Sequence, residues 1–180
     1  MKNIIKTTLI LITILIFSNC KSQTSLPQDG DNLLNNNINK FIGTWNWSSG
    51  GSSLQLVFKK ENILLPVGNN VRTDILYGFH KYIQNNINIE DSTQFINTSY
   101  QDKKSTFFAI GAENFPNKLK GTMTYISKNK SVNLEFEFID ATHIRLVSIK
   151  NLEGIRINVA GKSAFDWSIS LPQNITLTKQ

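Results

Sequence analysis

The run Val132-Asn133-Leu134-Glu135-Phe136-Glu137-Phe138-Ile139-Asp140-Ala141-Thr142-His143-Ile144-Arg145-Leu146 decides the fold class. Val132, Leu134, Phe136 and Phe138 alternate with Asn133, Glu135 and Glu137, a period of two that sends every apolar side chain to one face of an extended strand. A short loop centred on Ala141 returns the chain and sets Phe138 opposite Ile144, Phe136 opposite Leu146 and Glu137 opposite Arg145, so that both faces match. Upstream, Gly121 to Ser127 repeats the alternation with Met123 and Tyr125 inward, and Lys128-Asn129-Lys130 turns the chain into the Val132 strand. Together these segments form an antiparallel meander.

The same logic reads the region from Gly43 to Phe58. Gly50-Gly51 can adopt the positive φ angles of a two-residue hairpin turn, which places Trp47 across from Leu54, Trp45 across from Leu56, and Gly43 across from Phe58. Asn46 and Gln55 then share the opposite face. Further strands are expected at Val71 to Tyr82, Gln94 to Tyr100, Ser105 to Gly111, Ile155 to Val159 and Ile175 to Lys179, separated by Asn, Gly and Pro. The expected class is therefore all-β: an antiparallel up-and-down meander closing into a curled sheet or barrel of about 8–10 strands, with a two-sheet sandwich as the alternative.

The N-terminus reads as an export signal. Lys2 and Lys6 precede an apolar stretch from Leu9 to Phe17 broken only by Thr13, too short at about 1.5 Å rise per residue to cross a hydrocarbon core roughly 30 Å thick. Residues 1–19 are expected to be a signal peptide, residues 20–40 a lipidated, flexible tether rich in Ser, Gln, Asp and Asn, and residues 41–180 a single β domain. Cys20 is the single cysteine, so no internal disulfide can form, and acylation would remove an otherwise exposed thiol. Lipid chains contribute about 0.8 kcal/mol per buried methylene, enough for two or three chains to hold the domain on a membrane.

Hydrophobic residues make up 40% of the chain and charged ones 18%, a composition suited to one packed core. The net charge is +6; losing Lys2 and Lys6 with the signal peptide leaves +4, on lysines scattered singly or in pairs. Nucleic-acid binding would require a concentrated basic stripe, so that partner is not expected. No catalytic set is legible: the two histidines, His80 and His143, lie in no metal-ligand spacing and read as solvent-face residues, and no nucleophile elbow or phosphate loop occurs. Glu135 and Glu137 share a strand face as a glycosidase pair could, but Arg145 is placed to neutralise Glu137. Glu90-Asp91 reads as ordinary surface charge. Neither an enzyme nor a cofactor nor a metal is expected.

Phe17-Ser18-Asn19-Cys20 resembles the lipobox of bacterial lipoproteins, which implies lipid attachment at Cys20 and a membrane-anchored protein of the cell envelope, facing the periplasm. Gly43-Thr44-Trp45 resembles the Gly-x-Trp opening of lipocalin-like barrels, which implies a tryptophan across the closed barrel end with an arginine, Arg145 or Arg156, packed on it. More broadly, the Lys-Asn-Ile-Ile start, the Ser18-Asn19-Cys20-Lys21-Ser22-Gln23 junction, Phe41-Ile42-Gly43-Thr44-Trp45 and Leu56-Val57-Phe58-Lys59-Lys60 are similar to an uncharacterised family of small Bacteroidota lipoproteins, domain of unknown function 6705. Two functional expectations follow. In one, the barrel or cup binds a small hydrophobic ligand, with Trp45, Tyr125 and Phe136 as the inward-facing rings. In the other, an accessory protein engages an envelope protein or a glycan through exposed edges or loops, Asn85 to Asp91 or Glu113 to Lys118.

Overall fold

The computed structural model describes residues 26–66, 70–111, 114–154 and 164–180. Cys20, the expected export signal and the expected strand at Ile155 to Val159 lie outside these. The ordered fold starts upstream of Phe41. A two-residue strand, β1 (Asn32–Leu33), and a 3-10 turn over Asn36–Phe41 fall within the stretch expected to be a tether, and Ile38 and Phe41 are both buried.

The hairpin β2 (Gly43–Ser49) and β3 (Ser52–Leu64) has the register read from the sequence, Trp47 with Leu54, Trp45 with Leu56 and Gly43 with Phe58. Gly50 and Gly51 have φ of 56° and 77°, which only glycine adopts at no steric cost. β4 (Arg72–Gln84) is a long strand whose second edge is shared in turn by three others. β1 lies parallel to its start, and β5 (Ile87–Asp91) pairs with its end. Between them comes β6 (Phe107–Ala109), the only part of the expected Ser105 to Gly111 strand that pairs. The meander follows as β7 (Lys118–Tyr125), β8 (Lys130–Asp140) and β9 (His143–Asn151), with Phe136 opposite Leu146, Phe138 opposite Ile144 and Glu137 opposite Arg145, as expected. The last strand, β10 (Ile175–Lys179), pairs with both β9 and β2.

The result is a closed antiparallel barrel of eight strands, β2-β3-β4-β6-β7-β8-β9-β10, each neighbour in sequence also a neighbour in space. Closure leaves most edges paired, which decides against the sandwich. One expectation is corrected. Gln94 to Tyr100 is not a strand but a pair of 3-10 turns, Thr93–Phe95 and Tyr100–Asp102. Asp91 caps the backbone at Thr93, and Ser99 forms a capping box with Asp102, so local polar side chains take the backbone groups that a ladder would need. Asn85 to Asp91, expected as an exposed edge or loop, forms a largely exposed edge strand: Asn85 and Asn86, with φ of 51° and 62°, make the turn into β5, which pairs along β4.

The core splits into an inner and an outer cluster. Inside the barrel lie Trp45, Phe58, Phe107, Tyr125 and Phe136 among others; outside, Ile63, Ile75, Tyr77 and Phe79 are roofed by Phe95, Tyr100 and Phe108. β4 is thus buried on both faces. Phe58, Phe107 and Phe136 pack together at centroid distances of 4.7, 5.5 and 5.8 Å. Two glycines make room for them: a Cβ on Gly78 would stand 2.5 Å from Val57 O and one on Gly121 2.4 Å from the Phe107 ring. Gly121→Ala is therefore expected to cost about 1–3 kcal/mol of stability by overpacking, read from the urea midpoint. An unchanged midpoint would show that the aromatic stack has slack.

Candidate functional site

The hairpin tips of β2–β3, β4–β5 and β7–β8 lie at one end of the barrel, and the residues just inside them set its chemistry. Along β4, the cross-strand partners of Leu54, Leu56 and Phe58 are Tyr82, His80 and Gly78, so these three face the interior. Tyr125 at the end of β7 and Lys130 at the start of β8 also face inward, 0% and 6% exposed. Across this end runs an irregular strap, residues 164–171, from the β9–β10 connection.

The barrel holds the strap by its main chain. Lys130 Nζ donates to Asp166 O and Ser168 O, both at 2.7 Å; Asn151 Nδ2 donates to Trp167 O at 2.8 Å; the Tyr82 hydroxyl donates to Ser170 O at 2.8 Å. Tyr125 Oη is in hydrogen-bond contact with Ser170 Oγ and accepts from Ser170 N–H at 3.1 Å. Lys128 Nζ pairs with Asp166 Oδ2 at 2.8 Å. Burial, with the neighbouring Tyr125 and Glu90 adding to it, raises Tyr82 above the usual phenol range, which keeps it a hydrogen-bond donor at neutral pH. Between these polar anchors the strap buries Leu171, 3% exposed, in the inner core and packs Ile169 against it.

Beside the strap lies a second polar group. His80 Nε2 donates to Glu90 Oε2 at 2.7 Å, since a carboxylate can only accept, and His80 Nδ1 lies 2.8 Å from Thr106 Oγ1. Glu90 also accepts from Ile126 N–H at 3.0 Å and from the Ser127 hydroxyl at 2.5 Å. Burial pushes the Glu90 carboxyl up, but the hydrogen bonds from His80, Ser127 and Ile126 and the charge of His80 outweigh it and leave the group below its ordinary range. Its place in the fold explains it. β6 pairs with β4 only as far as Gly78, and beyond that point Glu90 reaches from β5 to the 3-10 turn after β7, so side chains bridge where the ladder ends.

The expected solvent-face position of His80 is thus corrected: both it and its Glu90 partner have fully buried side chains. His143 sits at the surface beside Asp140, as expected. Arg145 does not neutralise Glu137; its Nε donates to Asn174 Oδ1 at 3.1 Å, while Lys118 and Lys120 approach Glu135 at 3.6 and 3.9 Å. Nor does Arg145 reach Trp45. Lys179, from β10, stands 5.2 Å from that ring, and Arg156 lies outside the described residues. No group of three or more His, Cys, Asp or Glu among the described residues could hold a metal ion.

The three rings expected to face a ligand are all inside, each 0% exposed. They are not gathered in one place. Trp45 closes the far end, its Nε1 donating to Phe41 O at 2.7 Å; Phe136 sits in the aromatic stack; Tyr125 alone lies at the strap. Sequence reasoning missed Lys130, Tyr82 and His80 as its neighbours. A parity signal was present: Lys130 is in step with Val132 and Leu134, and His80 with Leu76 and Tyr82. Large clefts that described residues line lie on the outer face of β6 to β9.

No helix among the described residues is long and apolar enough to cross a membrane. No curated protein and no solved structure matches the chain. Over residues 1–180 it matches the model of a family of unknown function, DUF6705, and the chain belongs to that family.

Proposed function

We propose that this protein is a lipoprotein of the bacterial envelope, anchored through lipid on Cys20 and facing the periplasm, whose barrel binds a small hydrophobic ligand in exchange for its own strap. One observation carries the reading: the end of the barrel is filled by an irregular segment of chain, with Leu171 in the inner core, Ile169 packed against it and Ser170 held by Tyr82 and Tyr125. The strap belongs to no strand ladder, so lifting it breaks side-chain anchors and leaves the pairing of the barrel intact. Lifted, it would leave an apolar space ringed by two phenols and the Lys130 ammonium, which suits a ligand with an apolar body and a hydrogen-bond-accepting head. Of the three expected ligand contacts, Tyr125 alone has a part in this proposal; Trp45 and Phe136 pack in the core.

The test is a titration of the full-length chain in detergent with decanoate, followed by intrinsic fluorescence, beside native mass spectrometry for a co-purifying molecule. Burying an aliphatic side chain contributes about 1.5–3 kcal/mol, so Ile169→Ser with Leu171→Ser should loosen the strap and tighten decanoate binding by about tenfold or more. Tyr125→Phe should weaken it. A strap variant that keeps its melting temperature but binds decanoate no better would remove the proposal. For the anchor, Cys20→Ser is expected to move the protein from the membrane pellet to the soluble fraction; retention in the pellet would contradict lipid attachment there.

A further inference from the structure

From the end of β3 across the outer face of β6 to β9 runs a trough that the barrel interior does not explain. Three clefts adjoin there. One of 790 Å³ has Tyr100, Leu64 and Phe108 in its wall; the next, of 460 Å³, takes Phe108, Ile110 and Phe115; the third, of 390 Å³, is lined by Asn133, Ser148 and Lys150. Phe108 and Thr122 join the first to the second, and Lys120, Thr122 and Glu135 join the second to the third. Phe115 is 61% exposed and Ile110 44%, and the two stand together in the wall of the second cleft.

The register gives the trough its chemistry. Thr122 pairs with Asn133, which pairs with Lys150; Lys120 pairs with Glu135, which pairs with Ser148. Paired residues share a face with Cβ atoms about 4.5–5.5 Å apart, so these six form two polar rows across three strands, with the aromatic wall at one side. Hydroxyl, amide, ammonium and carboxylate groups stand there together. Lys118, Lys120 and Lys150 outnumber the one carboxylate of the trough, Glu135, which Lys118 and Lys120 share at loose distances. The face is net cationic.

We propose that this trough binds an anionic glycan. Sugar rings present an apolar face to Phe115 and Phe108 and hydroxyl edges to Asn133, Ser148 and Glu135, while uronate or sulfate groups meet Lys120 and Lys150. Glu135 favours a glycan over a nucleic acid, because each sugar unit keeps free hydroxyls that can donate to its carboxylate, whereas a DNA backbone offers only phosphates without a donor. The apolar side chains line a recess and not a raised patch, which suits a slender polymer better than a second globular surface.

The experiment uses the full-length chain in detergent, with oligogalacturonides, neutral xylo-oligosaccharides of the same length and oligo-dT as probes in isothermal titration. Oligogalacturonide binding is expected, with affinity falling at least tenfold in Phe115→Ala and again in the double variant Lys120→Ala with Lys150→Ala, all at exposed positions. Ile89→Ala on β5, away from the trough, should bind as the parent does. The proposal is overturned if oligogalacturonides do not bind, if they bind both trough variants unchanged, or if xylo-oligosaccharides or oligo-dT bind equally well.

Discussion

Glu90→Ala is expected to cost about 3–5 kcal/mol of stability, because it leaves three buried or part-buried donors without their acceptor, at about 1–3 kcal/mol each. The side chains of Glu90 and His80 are both 0% exposed, so no water stands ready to take over. Removing the carboxylate leaves the His80 Nε2–H, the Ile126 N–H and the Ser127 hydroxyl without their acceptor, at the seam where the β4–β6 ladder has ended. Glu90→Gln keeps an amide oxygen in place and should cost less, about 1–3 kcal/mol. The sign of the pH dependence follows from the lowered Glu90 pKa: its contribution is present above the unfolded-state value, about 4.3, and is lost as pH falls through the lower folded-state value. Denaturant titrations at pH 7 and at pH 3 should therefore show Glu90→Gln losing less stability than the parent on acidification. Asp74, Asp91, Asp140 and Asp166, also held low, remain in both proteins and supply the residual slope. Equal acid sensitivity of the two would show that Glu90 does not contribute in this way.

How far the sequence announced this arrangement depends on what covers each strand. Where one face meets water, as in β2, β3, β8 and β9, alternation fixed register to the residue: Trp45 with Leu56, Phe136 with Leu146. β4 gave no such contrast, because Ile75, Tyr77 and Phe79 on its outer face are as apolar as the inner residues. With both faces greasy, His80 could be assigned to either. The cover that buries the outer face comes from residues 92–106, whose short 3-10 turns are built from Asp, Ser and Thr caps and carry no periodicity to read. Lys130 was obscured differently. It belongs to a turn by composition and to the core by parity, and only the strap opposite, joined to it through carbonyls that any sequence would supply, decides for the core.

Trp45→Ala should have an effect of similar size, about 3–5 kcal/mol, for a different reason. The ring is the largest wholly buried side chain among the described residues, and it fills the end of the barrel opposite the strap. Its loss opens a cavity between β2, β10 and the 3-10 turn at Asn36–Phe41, and these cannot collapse together, because β10 pairs with both β2 and β9 and the barrel is closed. Phe41 O would lose its buried donor and Lys179 the ring face beneath its ammonium. Trp45→Phe restores most of the volume but not the N–H, so the difference between the two variants isolates the cavity from the hydrogen bond. Urea unfolding measures both. A Trp45→Ala loss below about 1 kcal/mol would mean that the N-terminal turn can settle into the vacated space, which a rigidly closed barrel end forbids.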